Sequence, residues 1–414
     1  MTKTVLPGAR CGAVTVPASK SQAHRLLICA ALSKGKKTIF CGGISKDISA
    51  TAFCLDALCA DVRFSGGEIT VAPAEKTGEE AELNCGESGS TLRFLLPLVG
   101  ALGKSAVFKM EGKLPERPIE PLKSELIRRG MKIERDGCLL KCSGTLNPGR
   151  FTIPGDVSSQ FISGLLFALP LLDGGSEIEI TGKIESADYI AMTEKALTRS
   201  GVFFTKTDGG YLIPGNQTYD LPEKVTVESD WSSAAFFLTL GALSDKGVTV
   251  GKLDTSSPQG DRRILEILKA FGAEIEINDG LITVRRGLLR GGKIEASQIP
   301  DLVPVISVIA ALSEGETRIT GAGRLRLKES DRLASVSGML SDLGADIKET
   351  EDGLIINGKP ELEGGETDPW GDHRIAMSAA VAAAGCKNSV TVKNARCTEK
   401  SYPGFWEDLE GLKL

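Results

Sequence analysis

Histidine is scarce in this chain, since only His24 and His373 occur among 414 residues. Two distant imidazoles give little basis for a metal site, and closely spaced cysteines such as Cys138 and Cys142 have no further ligands near them in sequence. Two histidines also cannot convincingly complete a Ser-His-Asp or Cys-His catalytic set. We therefore predict no metal site and no histidine-based nucleophilic catalysis.

Aromatic residues and long apolar runs are also few. Aromatics make up 5% of the chain, and the formal charge of -5 gives no broad basic surface for nucleic acid. Apolar runs such as 161–172 and 302–312 have the length of core helices, too short for a membrane span. Ten cysteines fall below the density of a disulfide scaffold, and no apolar signal segment follows Met1. These features predict a soluble cytoplasmic protein that binds neither nucleic acid nor membrane.

A repeat of roughly seventy residues organises the sequence. Each copy has an extended approach, a break rich in Gly, Pro, Ser or Asp, and an apolar helix. The six copies are VTVPASKSQAHRLLICAAL from 14, LNCGESGSTLRFLLPLVGAL from 83, FTIPGDVSSQFISGLLFALPLL from 151, VTVESDWSSAAFFLTLGAL from 225, IEASQIPDLVPVISVIAAL from 294 and GGETDPWGDHRIAMSAAVAAAG from 364.

A second pattern follows five of these copies, from residues 55, 126, 197, 268 and 340. A helix ends at or near Gly, an alternating strand follows, and an Asp-Gly or Gly-Gly turn leads into a second strand. Together the two patterns predict an α/β (α+β) protein of two similar domains, each with three βαββαβ units. The first helix of each unit is apolar nearly all round, which predicts a buried helix whose N-terminus faces an interdomain cleft. Six such helix ends would attract a small anionic substrate.

Polar residues crowd these helix starts in the first half of the chain. Lys20 and Arg25 place two cations beside unpaired backbone N–H groups, an arrangement that suits a phosphate or carboxylate. Ser158, Ser159 and Gln160 open the third apolar helix. A single serine there is more often an N-cap, but two serines with a glutamine favour a ligand site.

A proline-rich loop and the second half of the chain add further charges. Arg117 lies in loop 109–121, whose prolines fix its path toward a carboxylate or phosphate, although a solvated arginine is the default interpretation. Asp301 is either a helix cap or a positioned base. A surface ion-pair network explains the charges of RLRLKESDRLASV as well as a substrate site does. The remaining candidates open the last apolar helix or follow it: His373, Arg374 and Lys400.

Phosphate loops and dinucleotide fingerprints are absent from the sequence. What remains is a set of many cations with two or three carboxylates. This combination is typical of acid–base chemistry on an anionic substrate, without a nucleotide cofactor.

Eight segments, in chain order, resemble those of the 5-enolpyruvylshikimate-3-phosphate synthase family. They are PASKSQAHR, GESGSTLR, LPERPI, GDVSSQF, IPD, LKESDR, DHRIAM and CTEKSYPGF. The resemblance implies two domains of three units each and a chain that crosses between them twice. It therefore predicts a discontinuous domain, 1–17 with 229–414, on the phosphoenolpyruvate side, and a domain of 18–228 on the shikimate phosphate side.

The resemblance also implies a reaction and a set of site residues. Enolpyruvyl would pass from phosphoenolpyruvate to the 5-hydroxyl of shikimate 3-phosphate, with release of phosphate and no cofactor. The implied catalytic residues are Asp301 as base, Glu329 as proton donor, and Lys20. The implied contacts of shikimate 3-phosphate are Lys20, Ser21, Arg25, Ser158, Ser159, Gln160, Ser186, Tyr189, Asp301, Arg324 and Lys328. Those of phosphoenolpyruvate are Lys20, Gly89, Arg117, Gln160, Arg332, His373, Arg374 and Lys400.

Two alternatives and two departures accompany this interpretation. A sibling transferase acting on UDP-N-acetylglucosamine usually has a reactive cysteine in the loop where this chain has Arg117. A non-enzymatic repeat protein that binds phosphometabolites would explain the cations but not their pairing with Asp301 and Glu329. Glu87 stands where many members have Asn, so its carboxylate must point away or be paired, and Arg324 stands where some have a substrate-contacting Asn. The family also implies a monomer.

Overall fold

Short strands and helices alternate along the chain in a computed structural model that describes residues 1–76 and 80–414. The described residues divide into two units. Met1–Ser19 together with Glu228–Leu414 form what we call the discontinuous unit, and Lys20–Val227 form the contiguous unit. The mixture of helices and small sheets predicted from the sequence is confirmed.

Two strands precede the contiguous unit, and that unit then alternates helices with strands. The first two strands are β1 (Lys3–Val5) and β2 (Gly12–Thr15). The contiguous unit contains α1 (Lys20–Leu32), β3 (Lys37–Phe40), α2 (Lys46–Leu58), β4 (Ala60–Ser65), β5 (Glu68–Pro73), β6 (Ala81–Gly86), α3 (Gly89–Ala101), β7 (Ala106–Met110), α4 (Leu122–Arg128), β8 (Lys132–Asp136), β9 (Leu139–Ser143), β10 (Arg150–Pro154), α5 (Ser159–Ala168), β11 (Ser176–Thr181), α6 (Ala187–Arg199), β12 (Thr205–Thr207), β13 (Gly210–Ile213) and β14 (Lys224–Thr226).

The second part of the discontinuous unit repeats this alternation. It contains α7 (Trp231–Ala242), β15 (Val248–Gly251), α8 (Ile264–Phe271), β16 (Glu274–Asn278), β17 (Leu281–Arg285), β18 (Lys293–Glu295), α9 (Val303–Ala311), β19 (Glu316–Thr320), α10 (Arg332–Asp342), β20 (Asp346–Glu349), β21 (Leu354–Asn357), β22 (Gly365–Thr367), α11 (His373–Ala382), β23 (Val390–Val392) and α12 (Phe405–Glu410). Among the described residues, none of the helices has both the length and the apolar character that a membrane span requires.

Among the described residues, five of the six repeats combine a four-stranded sheet with two helices. In the second repeat the sheet order is β6-β7-β9-β8, with β6 parallel to β7 and the later neighbours antiparallel. The elements run strand, helix, strand, helix, strand, strand, which corrects the predicted order βαββαβ. The predicted order puts two strands between the helices, whereas the structure has one there and two after the second helix. Neither sequence pattern located that strand, because a strand of four or five residues such as β3 or β7 gives little periodic signal.

Two strands are exchanged between the repeats at the ends of the contiguous unit. Strand β14 pairs in parallel with β3, whereas β2 pairs in parallel with β15 more than two hundred residues later in the chain. The two segments that leave these strands are joined by backbone bonds from Ser19 N–H to Glu228 O (2.8 Å) and from Asp230 N–H to Pro17 O (2.9 Å). The sixth sheet has three strands, β22-β23-β1, so the N-terminal strand completes the last repeat.

The apolar helices are buried, as their composition predicts. All nine residues of α9 are buried, and α9 packs against α7 and α11 in the core of the discontinuous unit. In the contiguous unit α3 packs against α5, and α1 packs against α2 and α6. Burial of these apolar faces leaves the polar first turns of the helices as the places where charged side chains collect.

Candidate active site

Lys20 begins α1, and its ammonium Nζ binds Asp47 Oδ2 of α2 at 2.9 Å. Four residues after Ser21, Arg25 is buried and donates to Ser21 O (2.6 Å), Tyr189 O (2.6 Å) and Thr193 Oγ1 (2.8 Å). Burial lowers the pKa of Arg25 to about 10, so the guanidinium keeps its charge at neutral pH. These bonds hold the first turn of α1 against α6.

A chain of buried hydroxyl groups links the first turns of α1, α2 and α3. His24 Nδ1 lies 2.6 Å from Thr51 Oγ1, which lies 2.6 Å from Thr91 Oγ1. Thr91 in turn donates to Ser88 Oγ at 2.7 Å, and Ser88 caps α3 by accepting from Thr91 N–H. Burial lowers the pKa of His24 to about 3. The charge of Asp47 opposes this shift, and the charges of Lys20 and Arg25 add to it. His24 is therefore neutral at physiological pH.

Two arginines pack against Gly89 at the start of α3. A Cβ added at Gly89 would lie 2.8 Å from Arg93 Nη1 and 3.0 Å from Arg117 Nη1. Glycine at this position thus lets two guanidinium groups approach one helix N-terminus. The carboxylate of Glu87 lies against Gly112 in the neighbouring loop, where an added Cβ would come 2.5 Å from Glu87 Oε1.

Gln160 connects the starts of α3 and α5. Its Oε1 accepts from Arg93 Nη1 at 2.7 Å, and its Nε2 donates to Ser90 Oγ at 2.9 Å. Ser158 is the N-cap of α5 and accepts from Gln160 N–H at 3.3 Å, while Ser159 is buried in the first turn. Ser158 is thus the N-cap, a role that the sequence had left open for a serine at this position.

Ser186 precedes α6 with φ 55, a left-handed backbone conformation that is uncommon for serine. Its side chain is buried, whereas Tyr189 is half-buried and uses its carbonyl to hold Arg25. Backbone strain of this kind is concentrated at ligand-binding positions in proteins. The N-terminal ends of α1 and α6 are neighbours, because Arg25 binds Tyr189 O. These two ends hold Lys20, Arg25, Ser186 and Tyr189.

Arg332 is the centre of the charged cluster in the discontinuous unit, with 1% of its side chain exposed. Its guanidinium donates from Nη1 to Asp301 Oδ1 (2.9 Å), from Nη2 to Glu329 Oε2 (2.6 Å) and from Nε to Asp372 Oδ2 (2.8 Å). Three carboxylates in different directions satisfy one planar cation. They raise the pKa of Arg332 even though burial lowers it.

Asp301 lies between Arg332 and Arg374. Arg374 donates from Nη2 to Asp301 Oδ2 and from Nη1 to Asp301 O, both at 3.1 Å. Burial by itself raises the pKa of Asp301, but the charges of Arg374, Lys328 and Arg332 hold it well below its usual range. Asp301 is thus an ionised carboxylate held by cations and not a helix cap, since Leu302 occupies the N-cap position of α9.

Two lysines and Arg324 complete this cluster. Lys328 Nζ lies 3.6 Å from Asp301 Oδ1, and Lys400 Nζ lies 3.8 Å from Glu329 Oε1. Burial lowers the pKa of Lys328 to about 8, with Asp301 opposing that change and the charge of Arg324 contributing to it. Lys328 is therefore a cation that titrates close to physiological pH.

His373 and Asp261 lie beside the same cluster. His373 is buried, with Nδ1 3.8 Å from Asp372 Oδ1, and Asp372 caps α11 by accepting from Arg374 N–H. Ser232 accepts from Arg374 Nη2 at 3.3 Å and donates to Asp261 Oδ2. Burial, together with the charge of Asp301, raises the pKa of Asp261 to about 7.

Besides the buried threonines, sequence reasoning did not select five polar residues of these clusters. They are Asp47, Arg93, Ser232, Asp261 and Asp372. Arg93 lies one helical turn after Gly89, and Asp372 directly precedes His373, so proximity to selected residues was the available signal. The sequence offers no comparable indication that Asp47 meets Lys20 or that Asp261 reaches Ser232, because these contacts depend on helix packing.

The two units thus each hold a separate cluster of the predicted site residues. The contiguous unit presents Lys20, Arg25, Arg93 and Arg117 at helix starts or beside them. The discontinuous unit presents four more cations around the carboxylates of Asp301 and Glu329. Both clusters can bind anions. In the second, several cations hold the carboxylates of Asp301 and Glu329, which is an arrangement suited to proton transfer.

Comparison with known proteins gives one consistent family. The family model of EPSP synthase (3-phosphoshikimate 1-carboxyvinyltransferase) matches residues 7–409. The chain is 44% identical over 410 residues to the 3-phosphoshikimate 1-carboxyvinyltransferase of Clostridium kluyveri, covering 97% of this chain and 95% of that protein. A solved EPSP synthase from Acinetobacter baumannii superposes with a TM-score of 0.80 at 26% identity, covering 99% of this chain and 97% of the other. An enolpyruvyl transferase from Streptomyces tendae, 16% identical with a TM-score of 0.78, has the same fold over 100% of this chain and 97% of its own.

Proposed function

The chain belongs to the EPSP synthase (3-phosphoshikimate 1-carboxyvinyltransferase) family, and from this membership we propose the reaction that it catalyses. It transfers the enolpyruvyl group of phosphoenolpyruvate to the 5-hydroxyl of shikimate 3-phosphate and releases phosphate. The enzyme class is that of the curated relatives, a transferase of the 2.5.1 type in the shikimate pathway of aromatic amino acid biosynthesis.

The observation that carries this proposal is the position of Asp301 between Arg332 and Arg374, with Glu329 on the other side of Arg332. Both proposed substrates bear a carboxylate and a phosphate, so they need several fixed cations. The reaction also needs one group that accepts a proton and one that donates a proton. The cluster in the discontinuous unit offers both kinds of group within one ion-pair network.

In the proposed addition step the oxygen of the 5-hydroxyl attacks C2 of phosphoenolpyruvate, and Asp301 accepts the proton of that hydroxyl. Glu329 delivers a proton to the methylene carbon, which becomes a methyl group, and a tetrahedral intermediate results. In the elimination step Glu329 takes back a proton from that methyl group and the C–O bond to phosphate breaks. The phosphate leaves with the proton that Asp301 had accepted, which restores both carboxyl groups. Lys328 and Lys20 stabilise the anionic groups during both steps.

The ion pairs of Asp301 suggest how its basicity is controlled. A carboxylate held by Arg332 and Arg374 is a weak base, because its pKa lies well below the usual range. The carboxylate of phosphoenolpyruvate would compete for the same guanidinium groups. Its binding would weaken the pairing of Asp301 and raise its pKa toward a value at which it can accept a proton.

The remaining proposed contacts follow the assignment made from the resemblance. Shikimate 3-phosphate would bind the helix starts at Ser158, Ser159 and Gln160, the Ser186–Tyr189 segment, and the cations Lys20, Arg25 and Arg324. Phosphoenolpyruvate would bind Gly89, Arg117, Arg332, His373, Arg374 and Lys400. We further propose that the enzyme acts as a monomer in the cytoplasm and that its partners are small molecules.

An acceptor comparison tests this function. Phosphate release from phosphoenolpyruvate is measured with shikimate 3-phosphate and, separately, with UDP-N-acetylglucosamine. We expect turnover with the first acceptor alone. Release with the second alone would assign the chain to the sibling reaction, and release with neither would leave a binding protein.

Replacing the two proposed proton-transfer groups tests the assigned roles. We expect Asp301→Ala and Glu329→Gln each to lower kcat by about 10²–10⁴-fold, the usual contribution of a positioned acid or base. Lys109→Gln, at an exposed ion pair of the contiguous unit, is the control and should leave kcat unchanged. Near-normal turnover in either variant would remove that residue from its proposed role.

A further inference from the structure

A cavity of about 330 Å³ lies in the discontinuous unit, where the two ends of the chain meet. Strand β1, helix α12 and the C-terminal residues form most of its wall. The tail is fixed there by paired backbone bonds between Cys11 and Lys413, at 2.7 and 2.9 Å. The apolar side chains of the wall are Val5, Leu6, Trp406, Leu409, Leu412 and Leu414.

Arg10 gives this apolar cavity a positive charge. Its side chain lines the cavity although only 8% of the residue is exposed. Within residues 1–76 and 80–414 Arg10 makes no hydrogen bond. The opposite charge that acts on it belongs to Glu410, whose carboxylate binds Lys3 at 2.7 Å. A largely buried guanidinium without hydrogen bonds is costly unless another group can bind it.

The topology explains why space exists at this place. Each of the other five sheets has a fourth strand at its edge, which pairs with the strand equivalent to β1. The sixth sheet ends at β1, and no strand within the described ranges 1–76 and 80–414 pairs with that edge. All three residues of β1 line the cavity, and Leu6 and Leu414 at its walls are more than half exposed. The cavity is therefore open to solvent at an apolar rim.

We propose that this cavity binds a small monocarboxylate with an apolar, aromatic or branched aliphatic body, whose carboxylate pairs with Arg10. Arginine offers two parallel N–H groups to a carboxylate, and the leucine and tryptophan walls accept the apolar body. The volume is near the lower end of the range of about 300–1,000 Å³ for ligand pockets, enough for one ring with a short acid arm.

This site is separate in sequence and in structure from the clusters described above. None of the residues that line the cavity belongs to the proposed substrate contacts. The site also does not depend on the proposed function, because its binding can be measured without turnover. Lys3 and Glu410 also line the cavity, but they pair with each other at 2.7 Å, so Arg10 is the lining cation without an ion pair in the described part of the chain. A single carboxylate matches that one charge, whereas a substrate with two anionic groups, such as phosphoenolpyruvate, matches it poorly.

Calorimetric titration of the full-length protein with 3-phenylpropionate tests the proposal. The uncharged isostere 3-phenylpropionamide is the matched control. We expect 3-phenylpropionate to bind one site per chain and the amide to bind at least about tenfold more weakly. Equal binding of acid and amide, or no binding of the acid at millimolar concentration, would overturn the proposal.

Two variants locate the site. Arg10→Gln should weaken binding of the acid by about tenfold or more while turnover with shikimate 3-phosphate stays normal. Leu6→Glu places a carboxylate at an exposed rim position, so it should fold normally and also weaken binding, which keeps the test decisive if Arg10→Gln fails to fold. Binding that survives both variants but is lost with saturating phosphoenolpyruvate and shikimate 3-phosphate would place the acid elsewhere and refute the proposed site.

Discussion

Arg332 binds three carboxylates from three different segments of the discontinuous unit, so it organises that cluster more than any single proposed catalytic group does. Without it, Asp301 would keep its pairs with Arg374 and Lys328 and Glu329 its pair with Lys400, but each of the three carboxylates would lose an ion pair shorter than 3 Å. A buried ion network of this kind is costly to break, because removing one partner leaves buried charge with less compensation.

The stability of Arg332→Met measures this effect. We expect the free energy of unfolding to fall by about 3–5 kcal/mol, the usual loss for a broken buried pair. Arg326→Met is the matched control, since Arg326 also pairs with two carboxylates, Asp331 and Glu349, but at the surface. Its loss should be below about 1 kcal/mol. If urea unfolding gives the same loss of unfolding free energy for both variants, burial of Arg332 contributes nothing to stability.

The pH dependence of catalysis should depend on Lys328. Burial lowers its pKa to about 8, so the free enzyme loses this cation as the pH rises above 8. We expect kcat/KM, which reports groups of the free enzyme, to decline with an apparent pKa near 8. In Lys328→Arg the charge persists to much higher pH, so the decline should move upward by more than about one pH unit. An unchanged profile in the variant would assign the decline to another group.

At this scale sequence reasoning selected most of the charged residues that the two clusters contain, although their substrate contacts stay predictions. It succeeded where a charge lies at a helix start within a recognisable segment, as for Lys20 and Arg374. It failed for Asp47, which follows Lys20 by 27 residues and meets it only because α1 packs against α2. Pairing across packed helices leaves no local pattern in the sequence.

The helix starts are the elements on which the proposed site depends, and α3 is the most constrained of them. Arg93 and Arg117 both approach Gly89, where a methyl group would enter their van der Waals contact distance. The guanidinium groups would have to move if this residue had a side chain.

Gly89→Ala should therefore raise the KM for phosphoenolpyruvate by between about tenfold and a hundredfold, with a smaller change in kcat. The reason is displacement of Arg93 and Arg117, which alters the proposed phosphoenolpyruvate contacts but no proton-transfer group. Gly42→Ala is the control in the same unit, because an added Cβ there would contact nothing within 4 Å. Steady-state kinetics with both substrates varied distinguishes the two effects, and a normal KM in Gly89→Ala would contradict the assigned contact.

At the level of elements the sequence predicted six apolar helices and five strand–turn–strand hairpins, and all of them are confirmed. The number of strands between the two helices of each repeat was predicted wrongly, as two instead of one. Strand β23, for example, is the three residues Val390–Val392 and is too short to show an alternating pattern. These strands form by pairing with neighbours that are distant in sequence, so local patterns do not reveal them.

The family, and the two-domain fold predicted with it, are confirmed by the match over residues 7–409 and by the superposition on a solved EPSP synthase. The domain boundaries at 17 and 228 stay a prediction, with a direct test at the scale of the whole molecule. The contiguous unit has three complete sheets, including the parallel pair of β14 and β3.

We expect the fragment 20–227 to fold on its own, with a cooperative unfolding transition and the circular dichroism of a mixed α/β protein. A second fragment, 20–221, lacks β14 and exposes the edge of β3 that β14 covers. It should unfold at a lower urea concentration. Failure of 20–227 to fold, or equal stability of the two fragments, would contradict the domain assignment.

The strand exchange between the repeats also sets an order for assembly during synthesis. Strand β14 reaches β3 as soon as residue 226 has been made, so the contiguous unit can be completed before the rest of the chain exists. Strand β2, although made early, has no partner until β15 is synthesised, and β1 must wait for β23 near the end of the chain. The residues of β1 and β2 are thus synthesised before the contiguous unit but find their partner strands after it has been made.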